Sequence, residues 1–435
     1  MAASEGLPLP SRRAFLAASG LAAVAGTTLP PAGAEASAAS ASSDDPDRLF
    51  KEGRFTAAER GYRRRLRRDP RNARAAAQLG YICLLSNRFS TAETFLTRAV
   101  RLDPGDVASK QRLAECYVRQ DQYTRAVPLL RQTGTERDAA FATVFDHLSS
   151  TPWRIHGPAG TRVPFYTLDP VPTVEAAVNG GTPKKFILDT YATLDLSMQA
   201  ADEAGVRRLA TMTGGVVDGR PVTLYFGVLD SFKIGDIEIR DLPVQWNDTQ
   251  RPPLPDGSQP AGAFGTTIFY HFLTTMDYAG RALALRRKTS SSPHGFHTRD
   301  RLPLWLAGDH FPCTLGSLRD YGPRMVTLDT GGIGTAFGTT VEIAERAGLE
   351  VDYEHPIDRF GHKVFPATAD RISLGRAIVR DVRGHAVDKD FPGFPGTGQS
   401  ERFGFDLIAN FSHEFYKPFA VTFDYNAMAL YIVRG

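Results

Sequence analysis

The chain has 435 residues, too many for one ordinary compact domain, so two or three units are expected. Apolar residues make up 42% and charged residues 23%, a balance that excludes a disordered or membrane-embedded chain. The net charge is only +3, and the one strongly basic stretch, "RGYRRRLRRDPR", is flanked by acidic segments, which reads as a solvated helix face and argues against nucleic acid as a partner.

The N-terminus, "SRRAFLAASGLAAVAGTTLPPAGAEA", has paired Arg12 and Arg13, then Phe15 and Leu16, then a short Ala-rich apolar run. That run is too short for a stable membrane span. The order of parts resembles a twin-arginine export signal with Ala32-Gly33-Ala34 as the cleavage site. Residues 1–34 are therefore expected to be an address, and the mature protein periplasmic or extracellular. Three cysteines, Cys83, Cys116 and Cys313, are too few and too odd in number for a disulfide framework. Cys83 and Cys116 fall in apolar helical pattern and are expected in the core.

Residues 35–44 form an Ala/Ser linker without apolar periodicity. Beyond it the sequence repeats: Phe55, Phe89 and Tyr123 are 34 apart, as are Ala58, Ala92 and Ala126, and Pro70 and Pro104 close two successive units. Small residues where helices would touch, and Pro at the turn between units, resemble the tetratricopeptide repeat. The array is placed at residues 45–136, about two and a half units, followed by a connector over 137–159. Its resemblance implies either a surface for a protein partner or a brace for the next domain.

From residue 160 the pattern changes to short β runs broken by Gly, Pro and Asp. A similar order of parts then returns. Asp189 and Asp329, Gly235 and Gly375, and Asp241 and Asp381 are each 140 apart, while Asp277 and Asp424 are 147 apart. The sequence is thus internally duplicated, with lobes over 160–288 and 301–435 and a polar linker over 289–300.

In each lobe an apolar strand ends on Asp-Thr: "KKFILDTYAT" and "RMVTLDTGG". The pattern resembles the retropepsin-like aspartic proteases in their bacterial form, here with both lobes in one chain. The resemblance implies a multidomain protein in which an all-α tetratricopeptide-like array precedes a mostly β, bilobal pepsin/retropepsin-like acid protease fold. It implies that Asp189 and Asp329 form a catalytic dyad, that Thr190 and Thr330 lock the two turns together, and that no metal or organic cofactor is used. The substrate would be a peptide or protein.

Two positions depart from the family pattern. Gly331 meets the demand for close approach of backbone to carboxylate, but Tyr191 stands at the matching place, where a Cβ would strain the turn or set a phenol over the water site. The apolar-apolar-Gly strand that packs behind the turn is kept as Phe264-Gly265, whereas the second lobe is expected to have Ala409 at the Gly position. The alternative reading is a catalytically inactive protein that binds extended peptides. Flap-like hairpins are expected around Gly214-Gly215 and Asp218-Gly219, and around Phe365. His294 and His297 lie in the polar linker without a third ligand and read as surface. No Gly-x-Ser-x-Gly elbow is present.

Overall fold

The computed structural model describes residues 45–217, 220–288, 298–359, 361–388, 390–391 and 397–435. The segments expected to be an export signal and an Ala/Ser linker, His294, His297 and the turn Asp218-Gly219 lie outside the described residues.

Seven helices open the described residues: α1 (Pro46–Lys51), α2 (Phe55–Arg68), α3 (Ala73–Leu85), α4 (Phe89–Leu102), α5 (Val107–Val118), α6 (Tyr123–Arg131) and α7 (Glu136–Phe145). The 34-residue period recurs in their caps. The side chains of Asn72 and Asp106 accept from Ala75 and Ser109 N–H, starting the second helix of two successive units. Small residues sit where helices cross. A Cβ on Gly80 would lie 2.5 Å from Leu96 Cγ, and Ala58, Ala92 and Ala126 are fully buried. The helix α7 completes a third pair with α6, so the helical region runs past position 136 to Phe145.

The array is built into the β region. Phe55 packs edge-on against Trp305 and Phe405, at 5.4 and 5.2 Å between ring centres. Tyr81 Oη donates to Phe403 O, Arg119 Nη2 to Leu306 O, and Asn87 Nδ2 to Tyr425 O. Phe141 of α7 meets Phe226 at 5.3 Å. Of the two uses expected for the repeats, these contacts are those of a brace. Cys83, Cys116 and Cys313 are all buried and unpaired.

The β region has two similar halves. The first contains β1 (Thr173–Val178), β2 (Lys184–Leu188), β3 (Leu194–Ser197), β4 (Arg220–Ile234), β5 (Ile237–Asn247), β6 (Gly262–Phe264) and β7 (Phe272–Asp277). The second contains β8 (Phe311–Leu318), β9 (Tyr321–Leu328), β10 (Phe337–Thr340), β11 (His362–Leu374), β12 (Ala377–Val387), β13 (Ala409–Phe411) and β14 (Phe419–Asp424). Neighbouring strands run β5-β3-β6-β2-β1-β4 in one sheet and β12-β10-β13-β9-β8-β11 in the other, the same order twice. The duplicated positions also share backbone conformation: φ is +55° and +56° at Gly235 and Gly375, and +61° and +51° at Asp241 and Asp381. Left-handed Asp twice at one spacing is a strong mark of common descent, because non-Gly residues rarely take it.

A third sheet joins the halves. Strand β7 pairs antiparallel with β14, with Thr275 opposite Thr422 and their hydroxyls 2.7 Å apart. Since these two residues are themselves equivalent, a local twofold axis passes between them. Among the described residues no helix is long and apolar enough to cross a membrane.

Candidate active site

Strands β2 and β9 are central in their sheets, each with the short strand β6 or β13 running parallel beside it. A central strand with parallel neighbours is covered on both faces, which is why "FIL" and "MVTL" are unbroken buried runs rather than alternating ones. Each run ends at its Asp. Asp189 N–H donates to Phe264 O at 3.0 Å and Asp329 N–H to Phe411 O at 2.8 Å, so both turns leave their sheets at equivalent points.

The turns are cross-linked by their threonines. Thr190 N–H donates to Thr330 Oγ1 at 2.9 Å, and Thr330 N–H to Thr190 Oγ1 at 3.0 Å. Each hydroxyl then donates to the opposite strand, Thr190 to Leu328 O at 2.6 Å and Thr330 to Leu188 O at 3.0 Å. Both residues are fully buried. Thr190→Val removes one donor and leaves Thr330 N–H without its acceptor, a loss of about 2–4 kcal/mol. Urea unfolding of that variant is expected to show it, and Thr330→Val should match it within error because the arrangement is reciprocal.

With the turns locked, the Asp189 carboxyl meets the turn that carries Asp329. A Cβ on Gly331 would lie 2.4 Å from Asp189 Cγ, so the Asp189 carboxyl rests against the bare Cα of the other half's turn. Gly331 N–H donates to Asp329 Oδ1 at 2.9 Å, and Tyr191 N–H makes the same bond to Asp189 Oδ1 at 2.7 Å. Asp329 Oδ2 also accepts from Asn410 Nδ2 at 2.9 Å.

Tyr191 therefore keeps the backbone function expected of Gly. It is not among the residues of positive φ, so the strain expected from its Cβ does not arise. Its ring crosses to the second half, edge-on to Phe311 at 4.9 Å, and its hydroxyl bonds Thr327 Oγ1 and lies 3.3 Å from Asn410 Oδ1. Burial first, then the Asp329 charge, push this phenol well above its ordinary pKa.

The expectation for Ala409 is corrected by strand register. Leu188 pairs with Phe264 and Leu328 with Phe411, so Gly265 is matched by Ser412, and Ala409 by Gly262. A Cβ at Gly265 would lie 1.6 Å from Asp189 O. Ser412 carries one safely because its backbone differs, with φ −113° and ψ 177° against −160° and −123° at Gly265. Sequence reasoning also missed Asn410. Its polarity in an otherwise apolar strand was the available signal.

The array reaches the same turn through Asp309, which pairs with Arg137 of α7 and, at 3.2 Å, with Arg402. Asp309 also contacts His310, whose Nε2 is 2.7 Å from Tyr191 O. Beside Arg137, Glu136 accepts from Thr213 N–H at 2.7 Å in the hairpin of the first half. Burial pushes the Asp309 carboxyl up, but Arg137, His310 and Arg402 outweigh it and hold the group well below its ordinary value. A depressed carboxylate stabilises the fold above its unfolded pKa of about 3.9, and that contribution is lost as pH falls through the folded value. Asp309→Asn should cost about 2 kcal/mol at neutral pH, less than a fully buried pair would because both arginines are partly exposed. Melting temperatures from pH 6 to 2 should show the variant's deficit shrinking at the acid end.

A cavity of about 150 Å³ lies between α5–α7 and the β region, lined by Glu115, Tyr123, Phe145, Trp153, Phe226 and His310 among others. Neither Asp189 nor Asp329 lines it, and of its charged walls Glu115 pairs with Arg119 and Asp138 with Arg137. One set of groups with metal-ligating atoms converges among the described residues: Asp169, His413 and Glu414. Lys417 Nζ, 2.5 Å from Asp169 and 2.8 Å from Glu414, occupies the place a cation would take.

Comparison with known proteins agrees with the two-part architecture. Residues 47–107 and 84–142 each match a family model described as tetratricopeptide repeat. Among solved structures, an O-GlcNAc transferase variant from Thermobaculum terrenum is 26% identical over 28% of this chain and 24% of its own, with a TM-score of 0.23. The TPR2B domain of yeast Sti1, in complex with pHsp70, is 20% identical over 22% of this chain and 76% of its own, with a TM-score of 0.20. No curated protein matches. Residues 174–268, which include Asp189, Tyr191 and Gly265, match the family model described as aspartyl protease, so an aspartyl protease domain follows the tetratricopeptide repeats.

Proposed function

We propose that this chain is an exported aspartic endopeptidase of the bilobal, retropepsin-like kind, hydrolysing peptide bonds with a water activated between Asp189 and Asp329. The observation that carries the reading is the reciprocal Thr190/Thr330 bonding, which brings two Asp-Thr turns from equivalent strands to one point and sets Asp189 against Gly331. Two carboxylates held together share one proton and titrate as a unit. The charged member takes a proton from water as it attacks the carbonyl carbon; the protonated member polarises the carbonyl oxygen and the amine leaves protonated. No metal or cofactor is needed for these steps.

The twin-arginine-like N-terminus supports export, and hence a periplasmic or extracellular site of action. The repeats support a role in protein contact, one face being spent on bracing the β region. A second reading, an inactive peptide-binding protein, is favoured by Tyr191 alone. The discriminating experiment incubates the full chain with unfolded protein from pH 3 to 7. Fragments that appear with the enzyme and not with its aspartate variants support proteolysis. Peptide binding without fragments at any pH supports the second reading.

A further inference from the structure

Both departures from the duplicated pattern at the active turn, Tyr191 in one half and Asn410 in the other, belong to one hydrogen-bonded chain. The Tyr191 hydroxyl donates to Thr327 Oγ1; Thr327 Oγ1 donates to Asn410 Oδ1 at 3.4 Å; Asn410 Nδ2 donates to Asp329 Oδ2 at 2.9 Å. Each proton in this chain is used once. The Thr327 hydroxyl, donating to Asn410 Oδ1, turns the amide so that its NH₂ points at the carboxylate; the flipped amide would set its oxygen against Asp329 Oδ2. Asn410 is buried, and Tyr191 is held by Phe311, by its N–H on Asp189 and by His310 on its carbonyl.

We propose that Tyr191 and Asn410 are a matched pair of positioning residues that place the negative charge of the dyad on Asp329 and leave the shared proton on Asp189. The proposal deepens the proteolytic reading and rests on it for its catalytic meaning. The backbone donors on the two aspartates, Tyr191 N–H and Gly331 N–H, are equivalent and favour neither. At the register position of Asn410 the first half has Ala263, whose methyl cannot donate. A side-chain N–H on one carboxylate of a coupled pair favours ionisation of that member. The other titratable groups facing Asp329 are Asp189 and the phenols of Tyr191, Tyr278 and Tyr416, from the opposite turn, the segment after β7 and the segment after β13. Burial above all pushes the three phenols well above their ordinary range, so they stay neutral, and the Asn410 amide acts on Asp329 as a side-chain donor. Asp329 is then the base that activates water, and Asp189 the acid.

The test follows the aspartate carboxyl carbons of the labelled full chain by NMR between pH 2 and 8, in the wild type, Asn410→Ala, Asn410→Ser and Tyr191→Phe, with Asp189→Asn and Asp329→Asn to assign the two signals. In the wild type Asp329 is expected to ionise first. Asn410→Ala should raise that midpoint by about one pH unit, a tenfold shift; Ser, which keeps a donor, should fall between; Tyr191→Phe should give a smaller rise in the same direction. Should Asn410→Ala fail to fold, the Ser and Phe variants carry the test. First ionisation at Asp189, or a midpoint unmoved in folded variants, overturns the proposal. This titration is read whether or not the chain cuts peptides, so a wild type without protease activity in which Asp329 still ionises first would sink the proteolytic reading and leave the charge assignment standing.

Discussion

Asp189→Asn and Asp329→Asn are each expected to lower peptide cleavage about 10³-fold or more while leaving the fold intact. Asn keeps the shape of Asp, so the turns can still form: the Thr190/Thr330 bonds do not involve either carboxylate. What is lost differs between the two. Asn at 329 cannot accept a proton from water, which removes the base outright. Asn at 189 cannot hand a proton on, although its NH₂ could still polarise a carbonyl. A profile of kcat against pH, with circular dichroism to check folding, measures both. The idea of a working dyad is lost if either variant retains wild-type turnover.

Gly265→Ala is expected to be the most damaging single methyl group near the site. The added carbon would lie 1.6 Å from Asp189 O, 2.5 Å from Asp189 C and 3.1 Å from Ala192 O, all of them backbone. Backbone at the foot of a turn already tied by Asp189 N–H and Thr190 has little room to withdraw. The cost should exceed about 4 kcal/mol, the range associated with forced overlap rather than ordinary repacking. Ser412→Ala, at the equivalent position, should cost about 1 kcal/mol or less, since a Cβ is already accommodated there. Urea unfolding of the pair separates a steric cause from a general sensitivity of the strand: equal losses would contradict the steric cause.

Much of the architecture was legible because it is repeated. A 34-residue spacing in Phe55, Phe89 and Tyr123 returns as three helix pairs, and the 140-residue spacing of Asp189 and Asp329 returns as two sheets of identical strand order. Repetition works as a signal because each position is read more than once. Where the copies diverge, that signal fails. The strand Ala409–Phe411 is only three residues long, and "LIANF" offers two plausible registers against "GAFG". Pattern favoured Ala409 as the counterpart of Gly265; pairing of Leu328 with Phe411 selected Ser412. The helix Glu136–Phe145 was missed for a different reason. It is buried against the array on one side and the first half on the other, so its small residues show no single apolar stripe. Tyr191 looked like damage to a turn because a spacing cannot tell where a long side chain goes.

The joining sheet, in which β7 meets β14 about the Thr275–Thr422 axis, has a consequence for how this site can change over generations. In an assembly of two identical chains every substitution is made twice, so a Tyr tolerable at one turn would be forced on both, and Gly331 could not persist opposite Tyr191. Covalent fusion of the two halves gives each its own mutable copy. One half can then accept a residue its counterpart could not bear, and a neighbour such as Asn410 can arise on the other side to make use of it.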